Sequence, residues 1–138
     1  MRSINRLSDL YQSIYPNAKP PRYEDSTANG LTKCIIDYLS LHGHQTERVN
    51  CMGRPLPVGN GLYKLGKTTM DKGTADISAT VYGWSVKIEI KVGTDKLSSY
   101  QINYAKRVQH AGGFYFVARD FESFLVWFDK LREEATNE

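Results

Sequence analysis

Two runs of alternating polar and apolar residues, 74–82 (TADISATVY) and 85–92 (SVKIEIKV), stand either side of Gly83-Trp84 and constrain the fold more than any other feature. Period two sends successive side chains to opposite faces of a strand, and two such runs across a short glycine-containing loop make an antiparallel hairpin. With Gly83 first in the loop, a type II′ turn sets Tyr82 opposite Ser85, so opposed residue numbers add to about 167. Ile77, Ala79 and Val81 then share one face with Val86, Ile88, Ile90 and Val92, while Asp76, Ser78 and Thr80 share the other with Lys87, Glu89 and Lys91. All the apolar residues fall together, which supports the register without appeal to function.

Around this hairpin the sequence reads as helices and one further strand. Leu31, Cys34, Ile35, Tyr38, Leu39 and Leu41 recur at helical spacing, with Ser26 or Thr27 as N-cap and Gly43 as the residue that ends the helix. Residues 45–50 have the length of a short strand. The glycines and prolines between Gly53 and Gly73 indicate a long loop with little regular structure, and a loop of that length in a compact domain is functional or disordered. Ser98-x-x-Gln101 is a capping box that opens a helix with Ile102, Ala105 and Val108 inward, stopped by Gly112 and Gly113. Residues 114–118 form a continuous apolar run, expected to be a buried strand. Phe121, Phe124, Leu125 and Phe128 return to helical spacing. Residues 1–25, with a short helix around 4–14 and Pro16, Pro20 and Pro21, read as an N-terminal arm, either frayed or packed on the domain 26–138 or on a second copy of it. The expected architecture is α/β, a central mixed sheet flanked by helices.

Size and charge limit the function classes. The 138 residues form one domain, large enough to build a core without disulfides or structural metal. No apolar run reaches the roughly 20 residues that span a bilayer, and Arg2, Arg6 and Asp9 exclude a signal-peptide apolar region, so a cytoplasmic protein without a membrane partner is expected. Cys34 and Cys51 lack a second pair for a zinc site and read as reduced. A net charge of +3 permits a nucleic-acid partner without demanding one. His42, His44 and His110 show no metal-ligand spacing, and His42 and His110 lie near helix C-termini, where the dipole favours an imidazolium. Gly66-Lys67-Thr68 lacks the earlier glycine of a Walker loop.

The polar face of the hairpin carries the chemistry. The register puts Asp76 across from Lys91 and diagonal to Glu89, and diagonal neighbours, roughly 7 to 8 Å apart, allow side chains to converge. Two converging carboxylates suit Mg²⁺, which takes one or two of them with waters and substrate phosphate oxygens. Such an ion lowers the pKa of a water ligand and stabilises charge on a reacting phosphorus, and Lys91, two residues past Glu89, points the same way. The competing interpretation is a solubilising Lys-x-Glu-x-Lys strand with an Asp76–Lys91 surface salt bridge worth under about 1 kcal/mol. Gln101 has two uses in the same sense, as cap partner of Ser98 or as a group at the site.

Gly73-Thr74-Ala75-Asp76, Glu89-Ile90-Lys91, the segment from Lys96 to Gln101 and Gly112-Gly113-Phe114-Tyr115 together resemble the core of the PD-(D/E)XK nucleases. More closely they resemble the virus-type replication-repair nuclease domain, VRR-NUC, in its short stand-alone phage and bacterial form. The resemblance covers roughly residues 73–117 and implies a restriction-endonuclease-like core. It implies Asp76, Glu89 and the backbone carbonyl of Ile90 as ligands of Mg²⁺ or Mn²⁺, Lys91 as the cation that orients water, and Gln101 as a helper near the phosphate. The family's Pro-Asp is Ala75-Asp76 here. The acid often carried by its first helix has no firm counterpart: Asn29 falls near that place, Glu24 precedes the helix, and Asp37 within it reads as a solvated residue.

The implied activity is structure-selective hydrolysis of DNA phosphodiesters in replication, repair or recombination. Lys64, Lys67, Lys72, Lys96, Lys106 and Arg107 flank the site in sequence; each singly reads as a solvated surface charge, and together they would give a phosphate-tracking rim that positions DNA without reading bases. Two alternatives remain. One is a Holliday-junction-resolvase-like endonuclease, which requires a homodimer because one site makes one cut; the arm and the aromatic helix with Phe124, Trp127 and Phe128 offer contacts, or else pack within their own protomer. The other is a nuclease fold that has lost catalysis and retains DNA binding.

Overall fold

The computed structural model describes residues 2–49, 55–65 and 73–137. Its elements are α1 (Arg2–Ile14), α2 (Ala28–Leu41), β1 (Gln45–Arg48), β2 (Pro55–Gly59), β3 (Leu62–Leu65), β4 (Ile77–Val81), β5 (Trp84–Ile90), α3 (Ser99–His110), β6 (Phe114–Ala118) and α4 (Phe121–Thr136). The fold is mixed α/β with a central four-stranded sheet in the order β1-β4-β5-β6. β1, β4 and β5 are antiparallel, and β6 runs parallel to β5. Parallel pairing needs a crossover, which α3 supplies.

The hairpin forms as expected, but its turn lies one residue earlier. Val81 pairs with Trp84 and Ile77 with Ile88, so opposed numbers add to 165. Tyr82 (φ 52°) and Gly83 (φ 83°) occupy the loop, and two positive φ values are the mark of a type I′ turn. Two aromatic contacts favour this outcome: Tyr82 sits edge-on to His44 at 4.5 Å, and Trp84 packs on Phe114 at 5.2 Å. A shift of two in the sum preserves the faces but changes every partner. The Lys87 ammonium donates to Ser78 Oγ at 2.6 Å, directly across the ribbon.

The apolar face of the sheet meets α2 and α4, with α1 against both. Tyr38, Phe121, Phe124 and Phe128 are fully buried, and Tyr38 meets Phe121, Phe124 and Phe128 edge-on at 5.7, 6.2 and 5.3 Å. Each large side chain so buried contributes about 1.5–3 kcal/mol. The arm is largely part of this core: Leu7 of α1 is fully buried, and Arg6 donates to both Asp129 oxygens and to the Tyr38 hydroxyl. Phe124 and Phe128 are spent inside the same protomer, and Trp127 stacks on Phe116 at 4.9 Å. Among the described residues, no helix is long and apolar enough to cross a membrane.

The helix boundaries follow the capping signals. Thr27 accepts from Gly30 N–H at the start of α2, and Gly43 and His44 donate to Ser40 and Leu39 at its end, the two bonds of a Schellman motif. α3 closes the same way, with Gly112 and Gly113 donating to Gln109 and Val108. Its inner face differs from the expected one: Gln101, Tyr104, Ala105 and Val108 are half-buried, whereas Ile102 is 42% exposed. The face is turned by one residue because Gln101 bonds to the sheet. β6 is an edge strand, so residues 114–117 are half-buried and only Ala118 is fully enclosed. The expected loop also contains structure: β2 and β3 pair as a separate hairpin around Asn60-Gly61, both at positive φ. Asn-Gly between extended segments is a strong type I′ signal, and the prolines at 55 and 57 fit a two-stranded sheet in which each strand has one free edge.

Candidate active site

Asp76 and Glu89 meet at the end of the central sheet, on the face covered by α3. Asp76 immediately precedes β4, and extending the ladder one step past Ile77–Ile88 sets it across from Glu89. This corrects the expectation of Asp76 opposite Lys91 and diagonal to Glu89, and it brings the two carboxylates closer. Two bonds hold Asp76: its carbonyl accepts from Val49 N–H at 2.8 Å, and its Oδ2 accepts from Ile90 N–H at 2.8 Å. The aspartate therefore ties β1 and β5 together at the place where β4 begins.

Glu89 is 5% exposed, unusual for a carboxylate. Its Oε1 accepts from Gln101 Nε2 at 2.8 Å, and its Oε2 is buried with no hydrogen-bond partner. Burial first, and then the Asp76 carboxylate beside it, push the Glu89 carboxyl up to about 8; the charge of Lys91 and the Gln101 amide pull it back. Two carboxylates held this way carry an electrostatic cost that a proton or a cation relieves.

Lys91 follows β5, half-buried, with its N–H on the Ala118 carbonyl at 2.9 Å. The ion pairs among the described residues are Arg6–Asp129 and Lys33–Asp37, so the alternative surface bridge from Asp76 to Lys91 does not form. Gln101 closes the cap and also reaches the Glu89 carboxylate. Its Oε1 accepts from Ser98 N–H at 2.8 Å, closing the capping box, while its Nε2 reaches Glu89. The amide has two ends, so cap and site do not compete.

Gly73 locks the start of this strand against α3. It adopts φ 82°, and a Cβ there would lie 2.4 Å from both the carbonyl carbon and the carbonyl oxygen of Tyr100. Only glycine fits such an approach.

The remaining candidates lie elsewhere or are engaged. Asn29 accepts from the Arg48 guanidinium at 2.7 Å. Asp37 is partly rather than fully solvated: it is half-buried and accepts from the Tyr23 hydroxyl at 2.8 Å and from Lys33 at 3.0 Å. Glu24 accepts from the Ser26 and Thr27 hydroxyls. Lys96, Lys106 and Arg107 are exposed, and the Arg107 guanidinium lies 5.8 Å from the Tyr104 ring centre. Lys67, Lys72 and Cys51 lie outside the described residues, and of Lys64 only the backbone, in β3, falls within them. Cys34 is a free, buried thiol that donates to the Glu24 carbonyl. His42 and His44 belong to an aromatic cluster with Phe128. Burial lowers the pKa of both, which for His42 outweighs the helix-end preference for an imidazolium. Among the described residues no three His, Cys, Asp or Glu side chains gather as a metal-binding group.

One neighbour escaped the sequence reading as a site residue. The Tyr115 hydroxyl is buried without a hydrogen-bond partner; burial raises its pKa, as do the charges of Glu89 and Asp76. Its signal is parity: β6 pairs in parallel with β5, Tyr115 beside Lys87, so alternate β6 residues join the polar face.

Compared with models of known families the protein matches none, and no curated protein matches it.

Proposed function

We propose that this protein is a Mg²⁺- or Mn²⁺-dependent nuclease of the PD-(D/E)XK superfamily, close to the VRR-NUC type and with a restriction-endonuclease-like core, that hydrolyses DNA phosphodiesters. The observation that carries the reading is the buried, unpartnered Oε2 of Glu89 beside the Asp76 carboxylate. An orphaned carboxylate oxygen next to a second carboxylate is costly in an apo protein and fits a divalent cation. Asp76, Glu89 and the backbone carbonyl of Ile90 would hold it. When bound, such an ion supplies Lewis-acid stabilisation of charge on a phosphoryl group and favours hydroxide over water at neutral pH.

The protein's own residues do the rest. Gln101 fixes the Glu89 carboxylate by one oxygen and leaves the other without a hydrogen-bond partner. The Ile90 N–H holds Asp76 Oδ2 and so sets the rotation of that carboxylate. Lys91 brings a positive charge to the pair, suited to orienting a water or an incoming phosphate. The exposed Lys106 and Arg107 on α3, and the exposed Lys96 shortly before it in sequence, suit phosphate contacts.

The test is a cleavage panel of supercoiled plasmid, single strand, flap and four-way junction, with and without Mg²⁺. Asp76→Ala and Glu89→Ala are expected to abolish metal-dependent cutting with circular dichroism unchanged; full activity in either removes the assignment. Asn29 engaged by Arg48, where the family often has an acid, favours a second reading, a DNA-binding protein without catalysis. Calorimetric titration separates the two, since DNA binding without any Mn²⁺ affinity supports the second.

A further inference from the structure

We propose that the cleft between α3 and β5 is a phosphate-binding subsite with Lys87 as its central cation; the nuclease reading enters only in taking the phosphate to belong to a nucleic-acid strand. The cleft is a cavity of about 280 Å³ lined by Ser85, Lys87, Tyr104, Arg107, Val108 and Gly113 among others, and among the described residues no acidic side chain lines it. Two cations and two hydroxyl-bearing side chains around one concavity select an anion with several acceptor oxygens, which is the chemistry of a phosphate.

Lys87 is the decisive residue. It sits in the middle of β5, half-buried, and its ammonium donates to the neutral Ser78 hydroxyl at 2.6 Å. Among the described residues it has no carboxylate partner, since the ion pairs there are Arg6–Asp129 and Lys33–Asp37. An ammonium has three donors, and among the described residues this half-buried one meets a hydroxyl and no carboxylate within ion-pair distance, which leaves room for a counter-charge. An anion in the cleft supplies it. Arg107 stands at the same cavity with its guanidinium 5.8 Å from the Tyr104 ring centre, which limits the directions it takes.

The position adds meaning to the charge. Lys87 and Glu89 lie on the same face of β5, two residues or about 6.6 Å apart along the strand. A phosphate seated at Lys87 therefore directs the adjoining part of its strand toward the acidic pair. The end of the cleft at Gly113 is tightly packed: a Cβ on Gly113 would be 3.0 Å from Val108 Cγ1 and 3.1 Å from the Ser85 carbonyl oxygen.

The test is fluorescence anisotropy of the full-length protein in chelator, so that no hydrolysis is needed. Three labelled single strands serve as probes: linear with a 5′-phosphate, linear without it, and circular. Lys87→Met is expected to weaken binding at least about fivefold and to reduce the slope of log affinity against log salt by about one. Lys130→Met, an exposed lysine on α4, serves as comparison and leaves both unchanged. Loss confined to the 5′-phosphorylated strand supports a terminal phosphate; loss on all three supports an internal phosphodiester. Unchanged affinity and slope in a folded Lys87→Met protein overturn the subsite, as does a wild type that binds none of the strands. Should Lys87→Met not fold, inorganic phosphate titrated into the isotope-labelled wild type must shift the Ser85, Lys87 and Val108 amides, and no shift overturns it. A protein that binds through Lys87 yet cuts nothing leaves the subsite standing and removes the nuclease reading alone.

Discussion

Gln101 joins helix start to acidic site: its Oε1 accepts from the Ser98 N–H and its Nε2 donates to Glu89 Oε1, both at 2.8 Å. Ser98→Ala and Gln101→Ala therefore separate two effects. Loss of an N-cap side chain costs about 1 kcal/mol, and Ser98→Ala is expected to cost that much while the Glu89 contact and the metal response remain. Gln101→Ala removes the reciprocal cap bond and also strips Glu89 of its donor. Urea melts with and without Mn²⁺ read the difference: equal Mn²⁺ stabilisation in both variants would show that Gln101 does not order the carboxylate.

Glu89→Gln tests the charge cost directly. The folded Glu89 carboxyl lies at about 8, above the ordinary value of 4.5, so the stability it contributes is fully present below 4.5 and is lost as pH rises through about 8. In chelator the wild type is expected to lose stability across that window, whereas Glu89→Gln keeps it and melts at least about 3 °C higher at alkaline pH. Mn²⁺ is expected to raise the wild-type Tm and to leave the variant unmoved. A variant that melts below wild type at alkaline pH in chelator would contradict the account.

The buried imidazoles act in the opposite sense. His42 and His44 are both lowered from 6.5, chiefly by burial, so the unfolded protein takes up protons that the folded one refuses. Stability is present above 6.5 and falls as the pH drops below it. His44, whose Nε2 is buried without a partner, lies edge-on to Tyr82 at 4.5 Å. His44→Phe is expected to reduce the loss of urea midpoint between about pH 7 and pH 5.5; an unreduced loss would place the acid sensitivity elsewhere.

Gly73→Ala sets a Cβ 2.4 Å from the Tyr100 backbone at φ 82°. Neither the conformation nor the contact tolerates it, and a cost of at least about 1 kcal/mol is expected, with loss of the Mn²⁺ stabilisation proposed for the wild type. A neutral effect in thermal melts would mean that α3 approaches this strand less closely.

Much of this was legible from residue order. The faces of the β4–β5 ribbon, the caps at Thr27 and Ser98, the glycine stops and the aromatic face of α4 all follow from local chemistry that the tertiary fold does not contradict. The partner of Asp76 was not legible. Glycine at position 83 suits the second place of a type I′ turn as well as the first of type II′, and the choice is made by Tyr82 on His44 and Trp84 on Phe114, contacts between distant elements. The inward face of α3 was hidden for a similar reason, since Gln101 faces the sheet to bind a carboxylate while the more apolar Ile102 faces out. Asn60-Gly61, by contrast, was a readable turn signal obscured by the prolines and glycines around it.

The turn at Tyr82-Gly83 also bears on how the molecule assembles. Asp76 and Glu89 are brought together by zippering one ribbon through a two-residue reversal, a closure with little entropic cost. The docking of β6, whose parallel pairing waits for the α3 crossover, is expected to follow more slowly. Like charges therefore confront each other before Gln101 arrives, and ions that screen or bridge them are expected to speed refolding in its earliest phase.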